Sequence, residues 1–297
     1  VRALLIHNAT AGGSSHPPEA LMAALKRAGF DVRYMPARGK KDGKKKADVL
    51  VEERIDLVVA AGGDGTIART VRAIAGQPIP LAIAPLGTAN NVARSLGLYG
   101  DPLDQLVRLG RPVRRKLDIG IAGGAWGEWR FVEAAGVGLF QHVLEHDASS
   151  KDKALDKARA LLLARLETGR ISRPWELSLD GEMLADDFVL FEAMIMRSIG
   201  PRLRFAPTAD PFDGFFDVVM VRERDKTKLQ RYLRALLAGD EGATPDIETR
   251  RARHVHVRLS GASVRIDDNV LPEEGEPRSE HGDFRIMPGA VELWLPS

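Results

Sequence analysis

The sequence predicts a doubly wound α/β domain over residues 1–112, followed by a β-rich, sandwich-like domain over residues 113–297. Three observations carry this. Through the first ~110 residues, apolar strand-like runs alternate with helical-period segments, and polar Gly-rich turns recur at the strand C-termini. Near Arg111-Pro112 the rhythm changes to short strand-like runs separated by turn residues, the pattern of an all-β layer or sandwich. The third is Asp56-Leu-Val-Val-Ala-Ala-Gly-Gly-Asp-Gly-Thr66, an apolar strand that breaks into glycines just before a helix. The last strand, about 288–297, is a candidate to return to the first domain.

Taken in order, Val1 to Ile6 is apolar apart from Arg2 and reads as the first strand. It runs into the polar loop His7-Asn8-Ala9-Thr10-Ala11-Gly12-Gly13-Ser14-Ser15, and a helix is expected over Pro18 to Ala28. A short strand over Asp31 to Met35 precedes Gly39 to Lys46, whose five lysines in eight residues read as a solvated loop. A helix over Ala47 to Arg54 leads to the central strand, Leu57 to Ala61. There Gly62, Gly63 and Gly65 let the backbone turn tightly and approach a ligand closely. Ile67, Val71 and Ile74 follow at helical spacing, and the free N–H groups at that helix start favour an anion. Asp64 is the odd member. A carboxylate among such amides repels phosphate unless a cation lies between, so the stretch reads as a nucleotide phosphate site with magnesium. A further strand, Ile79 to Ala84, ends in Pro85-Leu-Gly-Thr-Ala-Asn-Asn91 before a helix carrying Val92 and Leu96. Ligands of such sheets sit outside the strand C-termini.

Beyond residue 112, strands are expected over Lys116 to Ile121, Trp129 to Ala134, Trp175 to Leu179, Asp187 to Met196 and Phe216 to Val221. Others are expected over His254 to Leu259, Ser263 to Ile266 and Val291 to Leu295. Two helices interrupt them, Lys151 to Thr168 and Leu229 to Ala238. The first carries Leu155, Leu162 and Leu166 on one side, with basic residues outnumbering acidic ones. That pattern suits a helix covering a sheet and is shared by membrane-surface helices.

Composition narrows the function classes. A chain of 297 residues suggests about two domains. The absence of cysteine excludes disulfides and thiolate chemistry and fits a reducing cytoplasm. No apolar run approaches the length of a spanning helix, and the sequence opens directly into a strand, so neither a membrane span nor a signal peptide is expected. A net charge of +2 singles out no partner, and no nucleic acid is expected. His7, His142 and His146 are scattered singly and read as surface or packing histidines rather than bases.

Three stretches resemble the catalytic region of the diacylglycerol kinase family, which includes sphingosine kinases and bacterial lipid kinases. They are Gly62-Gly-Asp-Gly-Thr66, which NAD kinases and phosphofructokinases share, then Ile83-Ala-Pro-Leu-Gly-Thr-Ala-Asn-Asn-Val-Ala-Arg-Ser-Leu-Gly-Leu98, and finally Ala206-Pro-Thr-Ala-Asp-Pro-Phe-Asp-Gly-Phe-Phe-Asp-Val218. Gly136-Val-Gly138 after a strand and Met287-Pro-Gly-Ala290 fit in order. The resemblance implies an NAD kinase/phosphofructokinase-like nucleotide fold, a β-rich lipid-substrate domain, and ATP-dependent phosphorylation of a lipid hydroxyl between them. Its partners would be ATP and a diacylglycerol-like lipid. The location would be cytoplasmic, peripheral at the membrane surface during catalysis, with a homodimer as one candidate state. An NAD kinase-like enzyme and a catalytically impaired relative are the alternatives.

Carried over by residue, Asn8 and Gly12 match the first nucleotide loop, although Ala9 replaces a usual proline. Gly62, Gly63, Gly65 and Thr66 would cradle phosphates, joined by Gly87, Thr88 and Asn90 of the neighbouring turn. Asp64 would organise magnesium directly or through water. Asp213, with the backbone carbonyls of Asp210 and Phe215, resembles a second, structural magnesium site. Asn90-Asn91 stands where the family has Asn-Asp, so one acidic group is missing. The general base normally lies in an Asp-Gly-Glu turn. Counting from the strand over His254 to Leu259 gives Asp267-Asp268-Asn269, with Asn269 able to take a φ > 0 position, and offers Asp268. The literal match, Glu274-Gly275-Glu276, offers Glu276.

Overall fold

The computed structural model describes residues 1–13, 16–37, 54–146, 154–169 and 171–297. These form two compact units, Val1–Ile119 with Pro288–Ser297, and Gly120–Met287. The boundary lies past Arg111-Pro112 because one strand, Val113–Gly124, carries the chain from the first unit into the second.

In the first unit, β1 (Arg2–His7), β2 (Asp31–Pro36), β3 (Leu57–Gly62) and β4 (Leu81–Pro85) are parallel, in the order β2-β1-β3-β4. All six residues of β3 are buried, as an uninterrupted apolar run in a central parallel strand requires. Helix α1 (Pro18–Arg27) starts on a proline at its first turn and buries Leu21, Ala24 and Leu25. Helix α2 (Asp64–Ile74) buries Ile67, Val71 and Ile74. Two further helices follow, α3 (Asn91–Ser95) and α4 (Pro102–Arg108). The sequence reading contains no α4, yet its start is marked: the Asp101 carboxylate accepts from the Leu103 amide at 2.6 Å, with Pro102 next. Leu5, Leu25, Val59, Ala84 and Leu106 share the unit's core. The helix expected over residues 47–54 and the lysine run at 39–46 lie outside the described residues, except Arg54, which is in a turn.

In the second unit, β5 (Val113–Gly124) pairs with β6 (Gly127–Phe131) as a hairpin. Next come β7 (Ala134–Gly138), α5 (Leu139–His146) and α6 (Leu155–Thr168). Strands β8 (Arg173–Leu179), β9 (Glu182–Met194) and β10 (Phe216–Arg222) lead to α7 (Lys226–Leu237). The chain continues through β11 (Glu248–Ala252), β12 (His254–Arg258), β13 (Val264–Ile266), β14 (Asn269–Leu271) and β15 (His281–Leu295). The sheet path runs β14-β13-β7-β9-β8-β12-β15, with β10 and β11 attached through β9. The first half of β9 pairs with β8, and its second half lies between β7 and β10. Helices α6 and α7 pack Leu162, Leu166, Leu229 and Leu233 around Phe140, Phe205 and Tyr232.

The expected strand over Trp129 to Ala134 is two strands, broken at Val132-Glu133, and Gly136 to Gly138 lie inside the second. The break has a physical reason: the Val132 and Glu133 amides donate to the Asp267 carboxylate instead of to a ladder. The expected strand over Val291 to Leu295 is the end of the much longer β15, whose C-terminal part pairs Leu293 with Leu81 of β4.

Candidate active site

In the order β2-β1-β3-β4 the connections reverse direction between β1 and β3, and ligands of such sheets bind outside the strand C-termini at that reversal. Three loops meet there. Asn8 follows β1, donates its amide to the Ala61 carbonyl at 2.9 Å, and reaches Thr66 Oγ1 with Nδ2 at 3.4 Å. Gly12 sits at φ 57°, where an added Cβ would lie 2.1 Å from the Leu86 carbonyl oxygen, so only glycine fits. At the third loop, a Cβ on Gly87 would fall 2.5 Å from the Gly63 Cα. The Gly-rich turns after β3 and β4 thus touch backbone to backbone, and the Leu86 amide bonds the Gly62 carbonyl at 2.9 Å.

Individual residues take more specific places than the motif suggests. Thr66 is buried, fills the space a side chain at Gly62 would need, and turns its hydroxyl between Asn8 and Arg69. Its side chain therefore shapes the loop. Asn90 is left-handed, at φ 53°, and closes its own turn, accepting from the Gly87 amide at 2.8 Å and donating to the Gly87 carbonyl at 2.9 Å. Gly65 is half-buried in the first turn of α2, and Thr88 is exposed at the tip of the loop after β4.

Asp64 opens α2, and its Oδ1 accepts from the Val92 amide at 2.9 Å. Burial raises its pKa, opposed by backbone hydrogen bonds from Val92, Asn91, its own amide and Asn90. The carboxylate therefore serves as an N-terminal cap for α3. Asn91 is buried in the first turn of α3. A carboxylate at that position would bring a second negative charge beside Asp64. His7 is buried against Tyr34, and burial lowers its pKa, which suits a packing histidine.

Within the second unit, the sequence-derived candidates lie in three loops. Asp268 is exposed in the two-residue turn between β13 and β14, with Asn269 Nδ2 donating to its Oδ1 at 2.9 Å. The residue with φ > 0 is Asp267, at 51°, and not Asn269, because Ile266 and Asn269 are the paired residues that close the hairpin. Asp267 was not among the sequence candidates. It is buried, and its Oδ1 accepts from the Glu133 amide at 2.9 Å and from the Val132 amide at 3.2 Å. Glu276 lies in the later loop, exposed, with its carboxylate on the Glu273 amide at 2.7 Å.

Asp210 accepts from the Phe212 amide at 3.2 Å, and Asp213 accepts from the Phe215 amide at 3.1 Å. The other Asp213 oxygen meets the Arg251 guanidinium, which also lies over the Phe215 ring. The Arg251 guanidinium thus shares the one carboxylate to which the resemblance assigns a second magnesium. Among the described residues, no group of three or more histidine or acidic side chains is placed to hold a metal ion.

Known proteins resemble the chain along most of its length. Residues 2–122 match the diacylglycerol kinase catalytic domain, and residues 159–295 match the YegS C-terminal NAD kinase beta sandwich-like domain. The chain belongs to the diacylglycerol kinase catalytic-domain family. A diacylglycerol kinase of Mycobacterium tuberculosis is 29% identical over 93% of this chain and 88% of its own length. A crystal structure of a diacylglycerol kinase from Bacillus anthracis superposes with a TM-score of 0.72 at 20% identity, covering 99% of this chain and 96% of that one. Yeast NADH kinase shares the fold at a TM-score of 0.53 and 11% identity, covering 99% of this chain and 82% of that one. In this family member the three loops after β1, β3 and β4 occupy the catalytic-domain match, and the Asp268 turn occupies the C-terminal one.

Proposed function

We propose that this chain transfers the γ-phosphoryl group of ATP to a hydroxyl of a diacylglycerol-like lipid, with magnesium as the activating ion. Its class is that of a lipid kinase, a phosphotransferase with an alcohol group as acceptor. The observation that carries the site assignment is the contact of Gly63 with Gly87 beside Asp64, at the ends of two parallel strands. A cradle without side chains, at the start of α2, suits a polyphosphate. Asn8 and Gly12 would wall it on the β1 side, and Thr88 would contact phosphate from the β4 side. Asp64 would hold magnesium, directly or through water, and the ion when bound would neutralise charge on the phosphates.

A lipid hydroxyl has a high pKa and attacks poorly until a positioned carboxylate takes its proton. Two carboxylates were candidates, and Asp268 suits the role better. It stands on a tight turn between paired strands, whereas Glu276 lies in a longer loop outside any strand. Most of the acceleration would come from positioning and from dipoles aimed at the transferred group. Where the resemblance assigns a structural ion to Asp213, we propose that Arg251 does the tying instead. Reaching a lipid implies contact with a bilayer surface, and no helix among the described residues is long and apolar enough to cross one.

The test is labelled ATP presented with diacylglycerol, a sphingosine-like amine, phosphatidylglycerol or NAD, each with and without magnesium. Label in a lipid only when magnesium is present is the expected result. Label in NAD would overturn the lipid assignment in favour of the NAD kinase-like alternative, and no label in any acceptor would favour the impaired one. In the active enzyme, Asp268→Asn should lower kcat by ~10²–10⁴ with ATP binding unchanged, and Glu276→Gln should be nearly silent. The reverse pattern would transfer the role to Glu276.

A further inference from the structure

Three strands of the second unit place Arg265, Gly136 and Glu192 in one row. Arg265 of β13 pairs with Gly136 of β7, and Gly136 pairs with Glu192 of β9. The two charged side chains meet across the middle strand. Arg265 Nε donates to Glu192 Oε1 at 3.2 Å, and Nη2 donates to Oε2 at 2.9 Å, a bidentate pair with both partners buried. The bridge passes over Gly136, where an added Cβ would lie 2.1 Å from the Phe191 carbonyl oxygen and 2.5 Å from Glu192 Oε2. This accounts for a glycine at the centre of a buried strand, a position that otherwise weakens a sheet.

The remaining Arg265 nitrogen, Nη1, donates to the Asp267 carbonyl. That carbonyl belongs to the turn carrying Asp268, and the Asp267 carboxylate fastens the same turn to the Val132 and Glu133 amides. The Asp267 amide donates to the Ala134 carbonyl at 2.9 Å. The turn is therefore gripped from both sides: by a guanidinium anchored on β9, and by its own carboxylate on the break between β6 and β7.

A buried ion pair is a poor way to gain stability, because apolar residues of similar volume commonly serve as well or better. A bidentate guanidinium does hold a carbonyl at a fixed place and angle. We infer that the Arg265–Glu192 pair, passing over Gly136, is the positioning device of the Asp267-Asp268 turn. The effect on turnover rests on the reading of Asp268 as the base, while the effect on the turn does not.

The experiment compares the full chain with the paired variant Glu192→Leu/Arg265→Met and with Arg265→Lys, which keeps the charge and loses the fork. Three quantities are read: melting temperature, hydrogen exchange at the amides of Val132, Glu133 and Asp267, and kcat against KM for ATP and lipid. The paired variant is expected to melt no lower than the parent, to exchange faster at those amides, and to lose ~10²-fold in kcat with KM for ATP unchanged, the scale of a misplaced reacting group. Arg265→Lys should show the same faster exchange, and it carries the test if the paired variant does not fold. Parent-like exchange in a folded variant would overturn the positioning role. Faster exchange with undiminished kcat would uphold the positioning and locate the failure in the assignment of Asp268.

Discussion

Asp64 caps a helix in the structure and is proposed to hold magnesium, two duties that the sequence shows only in part. Its place among glycines points to a cation and phosphate, and nothing in the spacing indicates that it also caps α3 through the Val92 amide. The two duties separate by substitution. Asp64→Asn keeps a side-chain oxygen for that amide and removes the charge. We therefore predict that it melts close to the parent and loses ~10²–10³ in kcat, the scale of removing one electrostatic catalytic group. Asp64→Ala removes both, and should cost a further ~1 kcal/mol of stability, measured in urea, as for a lost helix cap. An Asn variant with parent-like turnover would remove Asp64 from the chemistry. At this scale the sequence was most legible where a glycine meets a steric demand, as at Gly12 and Gly87, because that demand is written in residue type. It was least legible at Thr66, Asn90 and Asp267. Their side chains bond inward to loop backbone or loop neighbours, and only the folded geometry distinguishes such an orientation from one aimed at a ligand.

At the scale of elements, long periodic segments were readable and short tertiary ones were not. β3 and α2 follow from an apolar run and a helical repeat. β14 has only three residues, and β6 and β7 are parted by the Asp267 contact, so neither carries a period of its own. β11 was missed for another reason: Glu248–Ala252 is dominated by charged residues, several of them paired with side chains of neighbouring strands and loops. The pairing of β10 with β11 carries a pH dependence. Asp217 is buried opposite Arg251, and its pKa is pushed up to about 6 by burial first and Asp213 second, with Arg251 opposing. A carboxyl raised above its unfolded value of 3.8 binds its proton more tightly in the folded chain. Its cost is therefore absent below about pH 4, grows as pH rises, and is complete above about pH 6. At about 1.4 kcal/mol per pH unit the ceiling is about 3 kcal/mol. Asp217→Asn should accordingly raise the melting temperature near pH 7.5 and leave it unchanged near pH 4, if the acid-induced changes elsewhere are matched by the parent control. An equal gain at both values would show that packing, and not ionisation, is responsible.

For the whole molecule, the two-part plan was visible in the change of rhythm, and the discontinuity of the first unit is the feature with the larger consequence. Every residue proposed to touch ATP lies before residue 91, yet the sheet beneath them takes its last strand from the C-terminus. Leu293 pairs with Leu81 of β4, the strand that delivers Gly87. Trp294 packs against Phe30 with ring centroids 6.4 Å apart, and the Arg114 guanidinium lies 4.8 Å from its ring. Val291, Leu293 and Trp294 are all buried. Burying a large apolar side chain contributes about 1.5–3 kcal/mol, so three together represent a large part of the 5–15 kcal/mol that usually separates folded from unfolded chains. We predict that a chain ending at Met287 gives no thermal shift with ATP and magnesium, although it retains Asn8, Asp64, Gly87 and Asn90. Trp294→Ala should lower stability by ~3–5 kcal/mol in urea while the fraction that remains folded binds ATP as the parent does. The pair of measurements separates support from contact. Loss of ATP affinity in folded Trp294→Ala would mean that the strand shapes the phosphate loops directly. Parent-like ATP binding by the shortened chain would mean that β1 to β4 hold those loops without it.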